Sequence, residues 1–387
     1  MKKILFISTR FPFPLDGGAK VRSFDILKSL SKKNKIDLVC LGKKNEKHKK
    51  NLPFCRNIKV FNINFFNKII NTIFSIFKFE PLQNGFCLSN EMKNYINSVE
   101  HNYDSIICHL LRSSQYLPDK FKKKKILEMS DLQSFAYQKL VDQLSNINPL
   151  KYLYIYENFM VKKYEKKIFK NFDKIVFISD KDATEAKKNI FKKNKVCVVE
   201  IGPKKFLSNQ FKYKKKNNKI IFIGNINFFP NILACVDFAK NALVKINLKY
   251  PKVKFHVIGN IGYLHKIFLR KYKNVVVHGR VNNLKKIIPG SICALCNVKV
   301  STGFQNKIIT YMSYGIPTIL SKYSFINTKF KKNKEVLTFQ NDQELIKKVF
   351  NLIENKKISE RLSNNVQIFM EKKYNAEKKL SKYEKII

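Results

Sequence analysis

Tryptophan is absent and acidic residues are scarce: 28 Asp and Glu stand against 76 Lys and Arg, a formal net charge of +48 over 387 residues. Arginine is almost missing from the basic set, at seven residues. With abundant Asn, Ile, Phe and Lys, the missing Trp reads as a bias toward A/T-rich codons. That bias explains much of the lysine without any function. Its physical consequence stands: the surface attracts anions such as nucleotide diphosphates, lipid headgroups and nucleic acid. Nucleic-acid modules read base edges with Arg and interleave aromatics for stacking. The lysine runs at 122–125 and 214–216 lack that arrangement and read as solvated surface.

Long uncharged apolar runs are missing too, so no window suits a membrane-spanning helix. The opening MKKILFISTRFPFP resembles a signal peptide for three residues only, then runs into Arg10 and prolines; it reads as a first core strand, with the chain in the cytoplasm. Eight cysteines are scattered, mostly inside apolar strand-like runs (Cys40, Cys108, Cys197, Cys293). Cys293 and Cys296 form a CxxC within an alternating strand, without a second pair. Buried thiols in a reducing compartment are expected rather than zinc or disulfides. No His, Asp and Glu cluster has metal-ligand spacing.

What is present is a grammar used twice. KKILFIST is a buried strand, followed by a loop with Gly17 and Gly18 and a helix with Val21, Phe24, Leu27 and Leu30 on one stripe. IDLVCLG is a second strand, which makes a βαβ opening. The grammar restarts at KIIFIGN (219–225), with a helix through 234–242 and the strands KFHVIGN, NVVVHGR and SICALC. The polar stretch at 203–218 between them reads as a linker. Two domains suit the length.

Residues 294–321, ALCNVKVSTGFQNKIITYMSYGIPTILS, are the most informative segment. A strand leads into a polar loop, then a helix expected to begin at Gly303, with Phe304, Ile308 and Met312 on its apolar stripe. Gly315 stands where a C-cap glycine belongs, and Pro317 follows. Gly303, Lys307 and Thr310 fall on the opposite face. A helix N-terminus with a lysine one turn in is a phosphate site; a plain strand and helix with a surface lysine is the alternative.

This segment resembles the donor-binding region of family 4 glycosyltransferases, in the subgroup linked to exopolysaccharide synthesis. The resemblance implies retaining, nucleotide-sugar-dependent enzymes of the GT-B fold: α/β, with two Rossmann-like domains facing across a cleft. It implies an N-terminal domain at 1–202, the linker at 203–218, a donor-binding domain at 219–365, and a C-terminal helix at 366–387 that crosses back. Gly202 falls at the glycine closing the first domain. Gly303, Gln305, Asn306 and Lys307 resemble the donor loop. Many members carry two glutamates in this segment, and Thr302 and Thr310 stand in their places; this leaves room for a weakened or inactive homologue. Gly224 and Asn225 follow the first C-terminal strand, where other members place a phosphate-binding Arg, so Lys307 becomes the leading phosphate cation. Pro230 and Asn231 resemble a subgroup pair, with a structural role expected.

In the N-terminal half, His109 ends the strand SIICH, and its context with Arg112 matches the subgroup. The resemblance places it near the reacting sugar as the catalytic candidate; a hydrogen-bonded core-edge histidine is the alternative. Asp131 and Tyr137, in ILEMSDLQSFAYQKL, are further cleft candidates, though Asp131 could equally be a helix N-cap. Gly17 and Gly18, flanked by Arg10 and Arg22, resemble the glycine loop that lies against donor phosphate and acceptor. The expected partners are a nucleotide-sugar donor and a glycan or lipid-linked acceptor, with no metal and no cofactor beyond the co-substrate. Nucleic acid is the rival partner for so basic a chain. Residues 60–86 crowd Phe and Ile onto one broad face, interrupted by Lys68 and Lys78. A core helix is the favoured reading there; an interfacial helix on an anionic membrane surface is the alternative, which would place the enzyme peripherally on the inner face.

Overall fold

Near-continuous apolar strands need helices on both faces of their sheet. The structure, a computed structural model, describes residues 1–15, 17–43, 48–188, 193–200, 218–281, 283–299, 305–326, 328–373 and 379–387. The chain divides into two compact units: Met1–Glu200 with Glu377–Ile387, and Ile201–Ala376. Each is a parallel sheet with helices packed on it.

The first unit has seven strands in the order β3-β2-β1-β4-β5-β6-β7. They are β1 (Lys3–Ser8), β2 (Lys35–Leu41), β3 (Asn57–Phe61), β4 (Ser105–His109), β5 (Lys124–Ser130), β6 (Lys174–Phe177) and β7 (Val196–Val198). All pair in parallel. Leu5 and Ile7 pack with Val39, Ile106 and Leu127. Ile4 and Phe6 pack with Leu38, Ile107 and Ile126. Alternate residues of β1 thus serve two separate cores. The strand order reverses between β1 and β4, which opens a crevice at their carboxyl ends. Ser8 and His109 stand side by side there.

The Gly18–Leu30 helix follows β1, but its buried side is not the expected stripe. Arg22, Ser23, Ile26, Leu27 and Leu30 are buried, whereas Val21 and Phe24 are partly exposed. Arg22 turns inward because a buried carboxylate awaits it: its Nε lies 3.2 Å from Glu128 Oε1 on β5. Its other nitrogens donate to the Val199 carbonyl (2.6 Å), the Glu200 carbonyl (3.4 Å) and the Tyr383 hydroxyl (3.1 Å). Tyr383 in turn donates to Glu128 Oε2. Arg22 was a candidate for the phosphate loop; its guanidinium is instead consumed inside the unit.

The second unit has six parallel strands in the order β10-β9-β8-β11-β12-β13. They are β8 (Lys219–Ile223), β9 (Lys254–Ile258), β10 (Val275–Gly279), β11 (Cys293–Cys296), β12 (Thr318–Ser321) and β13 (Leu337–Phe339). Its reversal lies between β8 and β11. The helix after β8 begins at Phe229 with Pro230 in its first turn, and passes through a π-helical turn over Phe238–Ala242. Cys293 and Cys296 are both buried in β11 as free thiols.

Two boundary expectations change. The Lys356–Lys373 helix puts Leu362, Val366 and Met370 into the second unit's core, so residue 366 is not where the chain returns. Leu380, Tyr383 and Ile386 belong to the first unit's core instead. The linker at 203–217 and Gly202 lie outside the described residues. The favoured core-helix reading within 60–86 fails for its Phe and Ile face: in the Phe65–Phe77 helix only Ser75 is buried, and its large apolar side chains are exposed.

Removing one partner of a buried ion pair leaves the other charge uncompensated, which costs about 3–5 kcal/mol, while an exposed pair is worth under about 1 kcal/mol. Glu128→Ala should therefore destabilise the first unit by about 3–5 kcal/mol. Lys33→Ala, which breaks the exposed Lys33–Glu384 pair, should hardly register. Urea unfolding followed by circular dichroism measures both. Equal, small effects would contradict the buried pair.

Candidate functional site

In the second unit, polar groups gather at the carboxyl ends of β8 and β11. Lys307 lies in the first turn of the Asn306–Ser313 helix, whose N-cap is Gln305. It is not on an open face: only 8% of it is exposed. Its Nζ donates to Asn231 Oδ1 (2.6 Å) and sits 3.9 Å from the centroid of the Phe222 ring. Burial lowers its pKa, with partial opposition from the Cys296 and Cys235 thiols. Asn231 Nδ2 donates to the Asn225 carbonyl (2.8 Å), so one amide joins the lysine to the loop after β8. A Cβ on Gly224 would stand 3.4 Å from Lys307 Nζ, which places this glycine against the ammonium.

The strand ends are tied from beneath. Tyr311, fully buried, accepts from the Ile223 amide (2.7 Å) and donates to the Leu295 carbonyl (3.1 Å), bridging β8 and β11. Gly259, past β9, has φ +135°, and a Cβ there would fall 1.8 Å from the Gly224 carbonyl oxygen. Only glycine permits that approach. The helix cap at Gln305 uses no side chain, and the helix ends at Ser313 with Gly315, the expected glycine, just past its Tyr314 cap at φ +64°. Asn306 Oδ1 is buried without a hydrogen-bond partner among the described residues. Thr310 is half-buried and its hydroxyl donates to the Asn306 carbonyl (3.4 Å). Thr302 and Gly303 lie outside the described residues, and the helix begins at Asn306, not Gly303.

In the first unit, His109 ends β4 and is 1% exposed. Its ring stacks on Phe6 at 5.7 Å, and neither ring nitrogen has a hydrogen-bond partner among the described residues. The hydrogen-bonded core-edge alternative therefore lacks its hydrogen bond. Burial lowers the His109 pKa to about 3, with Arg22, Arg112 and Arg10 adding repulsion. Arg112 Nε donates to Thr9 Oγ1 (3.0 Å), which holds it at the end of β1. Arg10 is exposed, and Ser8 Oγ bonds its carbonyl (2.9 Å) and amide (3.3 Å). Gly17 caps the first helix in extended backbone, and a Cβ there would meet nothing within 4 Å. Gly18 is that helix's first residue.

Asp131 follows β5. It is not a helix cap: the Gln133 and Ser134 amides, at the head of the Gln133–Gln143 helix, donate to Glu165 Oε1 at 3.0 and 3.2 Å. Asp131 Oδ1 has no hydrogen-bond partner among the described residues. Burial, then the neighbouring Asp182, raises its pKa to about 7. Tyr137 packs against the core and lies 5.8 Å from the Tyr154 ring. Two backbone outliers flank these groups: Leu110, after His109, has φ +70°, and Ser130, before Asp131, has φ +61°. Such strain clusters where function holds a backbone in place. Among the described residues no three His, Cys, Asp or Glu side chains stand together as metal ligands.

Residues 217–355 match the family described as Glycosyl transferases group 1. The matched segment lies within the second unit and contains the whole Gly224, Asn231 and Lys307 arrangement. A Klebsiella pneumoniae relative, an uncharacterized 44.6 kDa protein in the cps region, is 26% identical over 277 residues. The match spans 67% of this chain and 65% of that protein, just under two thirds of its length. Among solved structures, Anabaena HepE in complex with UDP and glucose superposes with a TM-score of 0.72 at 13% identity, over 100% of this chain and 99% of that one. Sucrose-phosphate synthase from Thermosynechococcus elongatus gives 0.71 at 14% identity, over 100% and 98%. At such identities these likenesses show the fold, two Rossmann-like parallel sheets of the GT-B type.

The second unit thus brings Gly224, Asn225, Gln305, Asn306, Lys307 and Thr310 to one sheet end. The first unit brings Arg10, His109, Arg112 and Asp131 to another, and withdraws Arg22. Sequence reasoning missed Asn231 as a partner of Lys307 and Tyr311 as the strap; their signal was a polar residue inside each helix's buried face.

The folded state holds His109 neutral down to about pH 3, whereas the unfolded chain titrates near 6.5. Below 6.5 the unfolded state binds the extra proton, so stability is intact above that pH and falls as pH drops toward 3. His109→Gln should flatten this part of the curve in urea titrations at several pH values. An unchanged slope would place His109 in water.

Proposed function

We propose that the chain is a retaining glycosyltransferase. It would move a sugar from a nucleotide-sugar to a glycan or lipid-linked acceptor in cell-surface polysaccharide assembly. The observation that carries this reading is Lys307, buried beside Gly224 at the switch point of the second unit. A cation held there in a preset position meets the charge that grows on a leaving diphosphate. Amides at the head of the Asn306–Ser313 helix add to it. In this reading the leaving group needs no metal ion. The UDP and glucose in HepE, and the cps region of the Klebsiella relative, support a nucleotide-sugar and a surface polysaccharide.

The reading gives unit 1 the sugar and acceptor contacts. His109, uncharged and with neither nitrogen partnered among the described residues, is suited to a neutral hydroxyl. Arg112 and Asp131 line the same strand ends. The enzyme would work on the cytoplasmic side, peripherally at the membrane; no described helix is long and apolar enough to cross one.

A second reading, a homologue that binds nucleotide-sugar without turnover, is favoured by Thr302 and Thr310. A threonine hydrogen-bonds a sugar without a carboxylate's charge-assisted strength. Hydrolysis or transfer of a nucleotide-sugar decides between the two.

Lys307→Ala should weaken nucleoside-diphosphate binding by about 1.5–3 kcal/mol, the range for a hydrogen bond to a charged group. Unchanged affinity by calorimetry would sink the assignment. His109→Gln should lower turnover while leaving nucleotide affinity nearly intact. Full specific activity in a variant that is merely less stable would return His109 to the core.

A further inference from the structure

The Phe65–Phe77 helix is built inside out. Its polar side faces the protein. Asn71 Nδ2 donates to the Leu88 carbonyl (3.1 Å), and buried Ser75 donates to the Asn71 carbonyl (3.0 Å). Gly85, in the Leu82–Phe86 helix, packs so closely that a Cβ there would fall 2.1 Å from Ser75 Oγ. That second helix is itself fastened: the Leu82 and Gln83 amides donate to Glu157 of the Pro149–Ile168 helix at 2.8 and 3.3 Å. The outward side carries Phe65, Phe66, Ile70, Phe74 and Phe77, with Phe66 76% and Phe77 74% exposed. Phe79, two residues past the helix, is held outward on a backbone with φ +52°.

A core helix would turn the other way, with Asn71 and Ser75 in water and the phenylalanines inside. Here a glycine contact and a buried capping glutamate hold the reverse orientation in place. Exposed apolar surface is unfavourable in water, and a contiguous face of this kind marks an interaction site. The charge decides the occupant. The helix has no acidic residue, Lys68 lies in its first turn, and Lys78 caps its end. A second copy would bring another +48 chain against this face. An anionic bilayer offers the opposite charge, with apolar chains just beneath it. Thirteen residues are too few to span a bilayer, so the helix would lie flat.

We propose that the Phe65–Phe77 helix is a preformed docking element that lies in the headgroup layer of an anionic bilayer, its phenylalanines toward the acyl chains. The inference rests on the membrane placement in the proposed function and specifies which surface performs it. The absence of Trp provides the probe, since Phe66→Trp creates a single tryptophan that can be excited selectively over the tyrosines. With phosphatidylglycerol-containing vesicles its emission should shift to the blue and be quenched by lipids brominated on the acyl chains. Leu248→Trp, at an 84% exposed position of the second unit, should do neither. Replacing Phe66, Phe74 and Phe77 together by Ser should cut vesicle co-sedimentation by about tenfold or more, with nucleoside-diphosphate binding unchanged. Three outcomes would overturn the proposal: equal binding to neutral vesicles, a water-like Phe66→Trp emission on bound protein, or a blue shift that depends on protein concentration without vesicles, which would indicate a second copy. Wild-type protein that docks but binds no nucleotide would instead reject the enzymatic reading and leave the docking helix standing.

Discussion

The buried pair of Arg22 and Glu128 is the interaction around which the first unit closes. Glu128 sits on a central strand with no exposure, and burial raises its pKa even with Arg22 opposing. Two charges in such a place are tolerated only when every polar atom around them is used. Here Arg22 reaches Glu128, the Val199 and Glu200 carbonyls and Tyr383, while Ser130 donates to the same carboxylate (3.2 Å). Lys379 adds an ion pair to Glu200 at 2.6 Å. One cluster therefore joins the first helix, a central strand, the end of the sheet and the returning C-terminal segment. The chain leaves this unit after Glu200 and is back in it by Glu377, so both crossings start from that knot.

The two candidate regions solve different electrostatic problems with the same topology. Each lies where strand order reverses, because adjacent loops there leave in opposite directions and free the strand ends. The second unit keeps one ammonium out of water, against an aromatic face and an amide oxygen, an arrangement that in the proposed function would need little reorganisation to meet an anion. The first unit keeps a histidine neutral inside a ring of arginines and a carboxyl group poised near neutrality. Polar groups that lack protein partners in a buried place are costly, and a bound ligand or water is the usual recompense.

The docking helix sharpens the meaning of the lysine count. Lysine spread through both halves fits a compositional bias. A helix with its phenylalanines outward and its serine inward does not follow from composition at all. It requires Gly85, packed against Ser75, and Glu157, which fastens the helix that carries Gly85.

Much of the architecture was legible in the chain itself. Runs such as ILFI and IIFI are apolar without alternation, and only a parallel sheet covered on both faces accommodates them. Gly315 followed by Pro317 marked a helix end for reasons local to the backbone. Candidate residues at strand ends, His109 and Gly224 among them, were legible because parallel sheets expose those ends. Tertiary packing decided what local pattern leaves open. Arg22 and Lys307 both look like surface cations in sequence, and both are buried, because a distant Glu128 and a distant Asn231 supply partners no helical period reveals. Asp131 has the spacing of an N-cap, yet Glu165 from another helix takes that role. The Phe65–Phe77 helix has the periodicity of an amphipathic segment, and periodicity states only that two faces differ. Which face meets the protein was settled by the closest approach of Gly85 to Ser75, a contact of the folded chain alone.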